Sequence, residues 1–437
     1  MIGEEKEKYN RQAEHNAGQC EQMPRILIAA AKVGYQTKSI AEAARRAGID
    51  VVLVTDRCHV LEDPWLDRAI AVRFEEPQEA AELVLQELGV IHLDGVIALA
   101  DAPTTTAALV AARLGVPFHP ASATEQCRNK GRAREAFSAA GMLVPRTVRY
   151  RLDGEAAAHH TAFPCVLKPT AMSASRGVIR ADNQGEFTAA FARIRKILES
   201  PGSGGDEIQV EQYIPGREFA IEGLMTRGEL RVLAIFDKPD PLEGPFFEET
   251  IYVTPSREPA GVQAAIVEAV RQAARALGLW HGPVHAEARV NEQGVWMLEV
   301  AARPIGGLCA RVLRFLSEDG AAEITLEDLL VRHAVSRMPD PLMPARAASG
   351  VMMIPIPQPG IYRGVAGLEA ARETAGIEDA IIAAVAGQRL EPPPEGGSYL
   401  GFLFAGGPDA AFVEAALRGA HGKLDFDIAR TLDIITR

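Results

Sequence analysis

The chain has 437 residues, of which 47% are hydrophobic and 24% charged, and its formal net charge is −12. That length exceeds one compact core and predicts two to four packed domains, while the acidic balance argues against nucleic acid as the main partner, because binding a phosphate backbone needs a basic face. No apolar run approaches the ~20 residues that cross a bilayer, so no membrane association is expected. Residues 1–22 are polar, with Glu4, Glu5, Lys6, Glu7 and Lys8 and no apolar signal-like run. They are expected to form a disordered tail, with Met23 a candidate start. Cys20, Cys58, Cys127, Cys165 and Cys309 are scattered without zinc spacing. They point to a reducing cytoplasm and idle thiols.

An apolar strand, Arg25 to Ala30, precedes a helical stretch closed by Gly48, and a second strand follows from Asp50 to Thr55. Helix near Gln78 to Leu88, strand near Asp94 to Leu99 and an Ala-rich helix to Leu114 continue the alternation of a parallel α/β domain over residues 23–122. The turn Ala31-Lys32-Val33-Gly34 lacks the glycine fingerprint of a dinucleotide site, which counts against a dehydrogenase. From residue 123 the pattern turns to strands between Gly- and Pro-rich turns, interrupted by one long helix, Gly261 to Leu277. This predicts an α+β core over 123–338. The segment Pro339-Asp340-Pro341 opens a smaller α+β module over 339–437.

The richest segment is Val284 to Arg303, which reads as a hairpin: VHAEARV, the turn NEQG, and VWMLEVAAR. Strict alternation puts Val284, Ala286, Ala288, Val290, Trp296, Leu298, Val300 and Ala302 on one face. The other carries His285, Glu287, Arg289, Val295, Met297, Glu299, Ala301 and Arg303. Glu287 and Glu299 then lie nearly opposite each other. Such a pair either holds a hard cation such as Mg²⁺ or sits on a solvated face. Upstream, Lys168 ends the strand Cys165-Val166-Leu167-Lys168, and the small-residue loop from Thr170 to Gly177 can turn backbone N–H groups toward phosphates. In Gln209 to Glu218 a strand passes into a polar turn, with Glu211 and Glu218 seven residues apart.

In order, VLKP with its loop, VEQYIPGREF, HAEARV and LEVAARPIGG resemble the ATP-grasp superfamily over residues 24–335. The stretch Phe236 to Ser256, followed by AARPIGG, looks most like the carboxylate–amine ligases related to L-amino acid ligases, and the C-terminal module looks like the last domain of such enzymes. The resemblance implies an ATP-grasp fold behind a Rossmann-like N-terminal domain. Its implied cofactors are ATP and Mg²⁺, with Mn²⁺ as a substitute. Lys130 and Lys168 would contact phosphates under a mobile loop containing Ser173, Ser175 and Gly177. Glu211 and Ile214 would meet adenine, and Glu218 the ribose. Glu287 and Glu299 would hold Mg²⁺, and Arg303 would stabilise oxyanions at the acyl centre. Where many members carry Asn, this chain has Ala301, so one metal ligand is missing.

Other residues keep two readings. Lys238 adds charge near the γ-phosphate or is a surface lysine. Gly306 and Gly307 lead into a helix-like Leu308 to Leu316, whose N–H groups, with Arg311, hold a substrate carboxylate or simply start a helix. His285 contacts substrate or makes a structural hydrogen bond, and Glu249, beside Glu248, faces an amino group or solvent. The expected activity joins a carboxylic acid, such as an amino acid, to an amine through an acyl phosphate, in the cytoplasm and as a homodimer by default. The alternatives are an inactive nucleotide-binding or regulatory module, and the same fold acting on bicarbonate or a thiol.

Overall fold

The structure is a computed structural model that describes residues 23–31, 34–56, 69–152, 162–170, 172, 175–200, 207–317 and 319–430. The expected tail at 1–22, Cys20, Cys58 and Ser173 lie outside those residues.

The N-terminal part is a parallel sheet in the order β3-β2-β1-β4. Its strands are β1 (Arg25–Ala30), β2 (Asp50–Thr55), β3 (Ala69–Ala71) and β4 (Gly95–Leu99), with α1 (Tyr35–Arg46), α2 (Pro77–Leu88) and α3 (Thr104–Leu114) between and after them. Ile26, Leu27, Ile28 and Ala29 are all buried, as a strand covered on both faces requires. Two short helices, α4 (Ala121–Arg128) and α5 (Lys130–Ala139), lead onward; Asn129 caps α5 by accepting from the Arg132 N–H at 3.0 Å.

A small antiparallel sheet follows, in the order β5-β8-β6-β7, from β5 (Thr147–Arg151), β6 (Cys165–Pro169), β7 (Ile179–Ala181) and β8 (Glu207–Gln212), packed under α6 (Gln184–Leu198). Phe187, Phe191 and Ile194 of that helix fill its core. The large sheet begins with β9 (Arg217–Thr226), β10 (Glu229–Asp237) and β11 (Ile251–Thr254), followed by α7 (Ala260–Leu277) and the hairpin β12 (Gly282–Asn291) and β13 (Gly294–Ala301). Beyond it come β14 (Arg314–Leu316), β15 (Glu323–Thr325) and α8 (Leu326–Ala334), which starts with a capping box between Thr325 and Asp328.

The remaining elements are β16 (Ala348–Ile354), β17 (Gly360–Ala366), α9 (Leu368–Arg372), β18 (Ile377–Ile382), β19 (Arg389–Leu390), β20 (Gly401–Gly407), α10 (Ala410–His421) and β21 (Asp425–Ala429). The C-terminal module does not build its main sheet apart. The eight-stranded order is β13-β12-β9-β10-β11-β16-β20-β18, so the ladder runs across residue 339 through the pairing of β11 with β16. One apolar cluster likewise joins Ile28 and Ile40, Ala220 and Phe236, Leu329 and Val331, and Val351 and Phe404. The N-terminal sheet, the large sheet and the C-terminal module therefore share a core, which fixes the loops between them.

Candidate active site

In the hairpin, Glu287 pairs directly with Glu299, and His285 with Ala301, as strict alternation requires from that end. The register then shifts between Glu287 and Ala288, where Leu298 is the extra residue, so Met297 falls opposite Ala288 and Trp296 opposite Arg289. This overturns the expected faces for part of β13. Met297 and Val295 pack into one cluster with Ala286, Ala288 and Val300, whereas Trp296, though buried, lies outside that cluster. A bulge of one residue flips every side chain beyond it.

Lys238 is buried, which removes the surface reading, and its ammonium reaches three carboxylates: Glu218 at 2.9 Å, Glu249 at 2.5 Å and Glu287 at 3.0 Å. Carboxylate oxygens of these three glutamates lie within 4.8 Å of one another. Glu218 also accepts from Arg289 Nε at 2.8 Å, so both its oxygens are held by cations. Arg289 ties the same corner to the Ile214 carbonyl at 2.7 Å. Burial, together with Glu249, Glu218 and Glu299, pushes Glu287 up to about 7 against the pull of Lys238. Glu249 stands by Lys238 rather than in solvent.

Glu299 has the opposite company. Lys130 Nζ stands 3.4 Å away, and although burial opposes ionisation, Lys130, Arg303, Lys168 and Arg134 hold the carboxyl at about 2. Lys130 also donates to the Met172 carbonyl at 3.1 Å, next to the small-residue loop. Lys168 is paired with Glu211, whose carboxylate takes a second cation, Arg134 Nε, at 2.8 Å. Burial lowers Lys168, and Arg134 with Lys168 overcomes burial at Glu211 to hold it at about 2. The Glu211 side chain is thus engaged by both cations. Ile214 is buried beside that turn.

Arg303 follows β13 and donates from Nε to Asp101 Oδ1 at 2.8 Å and from Nη1 to the Pro304 carbonyl at 3.1 Å. His285 Nδ1 lies 3.2 Å from Glu222, a fully buried carboxylate that also accepts the Ile305 N–H at 3.0 Å. His285 is thereby a structural partner that helps pin the turn after Arg303. Gly306 precedes a 3₁₀ turn, Gly307–Val312, and a strand begins at Arg314, so the expected helix Leu308 to Leu316 is absent. The β-pairing of Phe315 with Ile324 takes the backbone groups a helix would have used. Gly307 has φ +60°, which suits glycine. Arg311 meets Asp379 of the C-terminal module at 2.9 Å and lies over the Phe404 ring at 4.5 Å, so it serves that contact. In the loop, Ser175 and Gly177 have φ +54° and +71°. The Gly177 N–H donates to the Pro394 carbonyl at 2.8 Å, Arg176 donates to the Glu395 carbonyl at 3.1 Å, and Arg193 grips the Glu395 carboxylate with two bonds of 2.6 and 2.8 Å.

Sequence reasoning missed Asp101, Arg134, Glu222 and Arg289. Asp101 had a signal in its place just past a parallel strand, where ligands of such sheets gather. Glu222 had one in being the lone charge within the apolar run Phe219 to Met225.

The donor set fits a divalent cation. Hard carboxylate oxygens face each other across one rung, and the three glutamates around Lys238 carry more negative charge than that ammonium offsets. The tightest oxygen cluster, however, joins Glu287 to Glu218 and Glu249 rather than to Glu299.

The fold is that of the ATP-grasp proteins, and the chain matches their family models domain by domain. Residues 161–312 match the ATP-grasp domain, 41–118 the ATP-grasp N-terminal domain, and 352–429 the L-amino acid ligase C-terminal domain 2. The chain is similar to the L-amino acid ligase from Bacillus licheniformis, with a TM-score of 0.75 and 26% identity over 94% of this chain and 100% of that one. It is 31% identical to alanine–anticapsin ligase of Bacillus subtilis (strain 168) over 53% of each chain. It is 28% identical to carnosine synthase 1 of Gallus gallus over 75% of this chain and 37% of that protein. The chain thus spans about half the length, or less, of these curated relatives.

Proposed function

We propose that the chain is an ATP-dependent ligase that phosphorylates a small carboxylic acid, such as an amino acid, and passes the acyl group to an amine, releasing ADP and phosphate. The observation that carries this reading is the gathering of Lys130, Lys168 and Arg303 about Glu299, opposite Glu287. Attack of a carboxylate on a γ-phosphate needs positioning and charge neutralisation rather than a protein nucleophile.

Lys130 and Lys168 would hold phosphate oxygens, Lys168 leaving its contact with Glu211 to do so. The loop through Ser175 and Gly177 would cover them, and Glu218 would meet the ribose from the end of β9. Mg²⁺, with Mn²⁺ as a substitute, would be held by Glu287 and Glu299 and would offset phosphate charge. With Ala301 in the usual Asn position, a second ion would draw its remaining ligands from water or substrate. Arg303 keeps Nη2 without a hydrogen-bond partner among the described residues, and this edge of the guanidinium would receive the oxyanion of the acyl centre.

Release of ADP with Mg-ATP and amino acids, singly and in pairs, tests the reading, with hydroxylamine added to trap the acyl phosphate. Arg303→Lys should keep nucleotide affinity while acyl transfer falls ~10²-fold, since a planar fork becomes a single ammonium. Equal turnover in variant and wild type would remove Arg303 from the acyl centre.

A further inference from the structure

Amide formation has a requirement that the residues assigned so far leave unmet. An amino-acid acceptor arrives as an ammonium ion, and nitrogen attacks only after losing a proton. A group near the acyl carbonyl must attract that cation and take the proton. Most nearby carboxylates are committed: Glu218, Glu249 and Glu287 to Lys238, Glu222 to His285 and the Ile305 N–H, and Glu299 to Lys130.

We infer that Asp101 is the acceptor-amine residue, its Oδ2 holding the incoming ammonium beside the acyl carbon and receiving its proton. This rests on the ligase reading above. Asp101 comes from the N-terminal sheet, directly beyond the carboxyl end of β4, and reaches Arg303 across 202 positions of sequence. Oδ1 is bound to Arg303 Nε, while Oδ2 has no hydrogen-bond partner among the described residues. The Asp101 side chain is 35% exposed against 14% for Arg303, so the carboxylate is open to a ligand on the side away from the arginine. Ala100, just before it, holds φ +76°. A non-glycine residue rarely adopts that conformation, and it sets the direction in which Asp101 leaves the strand.

One Arg–Asp unit then serves both partners of the reaction. Arg303 faces the carbonyl oxygen, and Asp101 faces the nitrogen that attacks the same carbon. The ammonium gives one proton to Oδ2 and the freed amine forms the C–N bond; the bond from the acyl carbon to the phosphate oxygen breaks, phosphate leaves with the electron pair and takes the second proton from the nitrogen, and Asp101 returns the first to solvent. Among the described residues, the titratable and charged groups facing Asp101 are Arg303 and, from α4, Cys127, whose thiol is pushed up by burial and by Asp101 and Glu299. With the thiol held protonated, Cys127 is no competing base.

Hydroxylamine separates this role from a merely structural one, because it is uncharged near neutral pH and needs no ammonium subsite. Wild type, Asp101→Asn and Asp101→Glu are given Mg-ATP and a mixture of proteinogenic amino acids, with ADP release as the readout. Parallel reactions contain hydroxylamine and are read as acyl hydroxamate. Asp101→Asn should lose ~10²-fold in amino-acid-dependent turnover and keep hydroxamate formation within about twofold, Asp101 acting after the acyl phosphate exists. Its residual activity should climb with pH as free amine replaces ammonium, and Asp101→Glu should recover part of the loss. Equal loss in both reactions, or none in either, would overturn the assignment, the first by showing that Asp101 only orients Arg303. A wild type that forms neither product overturns the ligase reading itself.

Discussion

Glu287 and Glu299 face each other across one rung of the hairpin, yet their surroundings are opposite in sign. Burial works against ionisation at both. Around Glu287 the neighbours are two more glutamates sharing Lys238, and its carboxyl rises to about 7; around Glu299 they are Lys130, Arg303, Lys168 and Arg134, and it falls to about 2. The strand ladder makes the two residues neighbours, but the elements packed on either side decide their charge. Acids come from β9 and the segment before β11, bases from α5, β6 and the turn after β13. A divalent cation between them would supply the positive charge lacking on one side, and phosphates would meet the surplus on the other.

Replacing each glutamate in turn should expose this asymmetry most strongly. Glu299→Gln removes the anion that faces two lysines and two arginines, so activity should fall ~10³-fold and the magnesium requirement should rise. Glu287→Gln should cost less activity, and without magnesium it should melt a few degrees above wild type at pH 8. The sign follows from linkage: a carboxyl raised to about 7 keeps a proton that the unfolded chain has lost, so its contribution to stability fades as pH rises from the ordinary carboxylate value through 7. Gln avoids that loss. Comparable magnesium titrations and melting curves for the two variants would erase the contrast.

Lys238→Met should act next most strongly, on stability. It leaves three half-buried carboxylates without their shared cation, a change worth up to roughly 3–5 kcal/mol, the cost of breaking a fully buried pair. Urea unfolding should show it, and adding Glu249→Gln should restore part of the loss. Additive effects of the two substitutions would mean that the cluster is not one unit.

The smallest effect should come from histidines that have burial without a compensating charge. His119 Nε2 lies 3.0 Å from the Pro283 carbonyl and its Nδ1 accepts the Trp280 N–H at 3.1 Å, so a neutral ring uses both nitrogens. Burial lowers His119 to about 4 and His333 to about 3. With folded values below the unfolded ~6.5, their contribution is present above pH 6.5 and is lost as pH falls toward 4. Melting temperature should decline over that window, and His119→Gln should flatten the decline; an unchanged slope would exonerate His119.

Much of this was legible because it is local. The NEQG turn sets the hairpin, and period two then places Glu287 opposite Glu299. The bulge at Leu298 left no compositional mark, so the faces beyond it came out reversed. The surface reading of Lys238 stayed open beside the phosphate one because its three acids lie 20, 11 and 49 residues away in sequence. Arg303 was visible as a charge after a strand, while Asp101, from the N-terminal sheet, was not. The pairing of β11 with β16, Ile251 opposite Met352, is likewise long-range and carries no local signal.

That last pairing bears on how such proteins can be recombined. Strands β16, β20 and β18 extend the ladder that carries Glu287 and Glu299, and Ile251 and Val253 lie in one cluster with Leu403 and Val413. A chain ended before β16 would leave β11 as a bare apolar edge, with unpaired N–H and C=O groups that invite intermolecular strand addition. The C-terminal segment is therefore not an interchangeable cartridge. A graft from a related chain would have to match the backbone register of Ile251–Thr254 before its own pocket could matter.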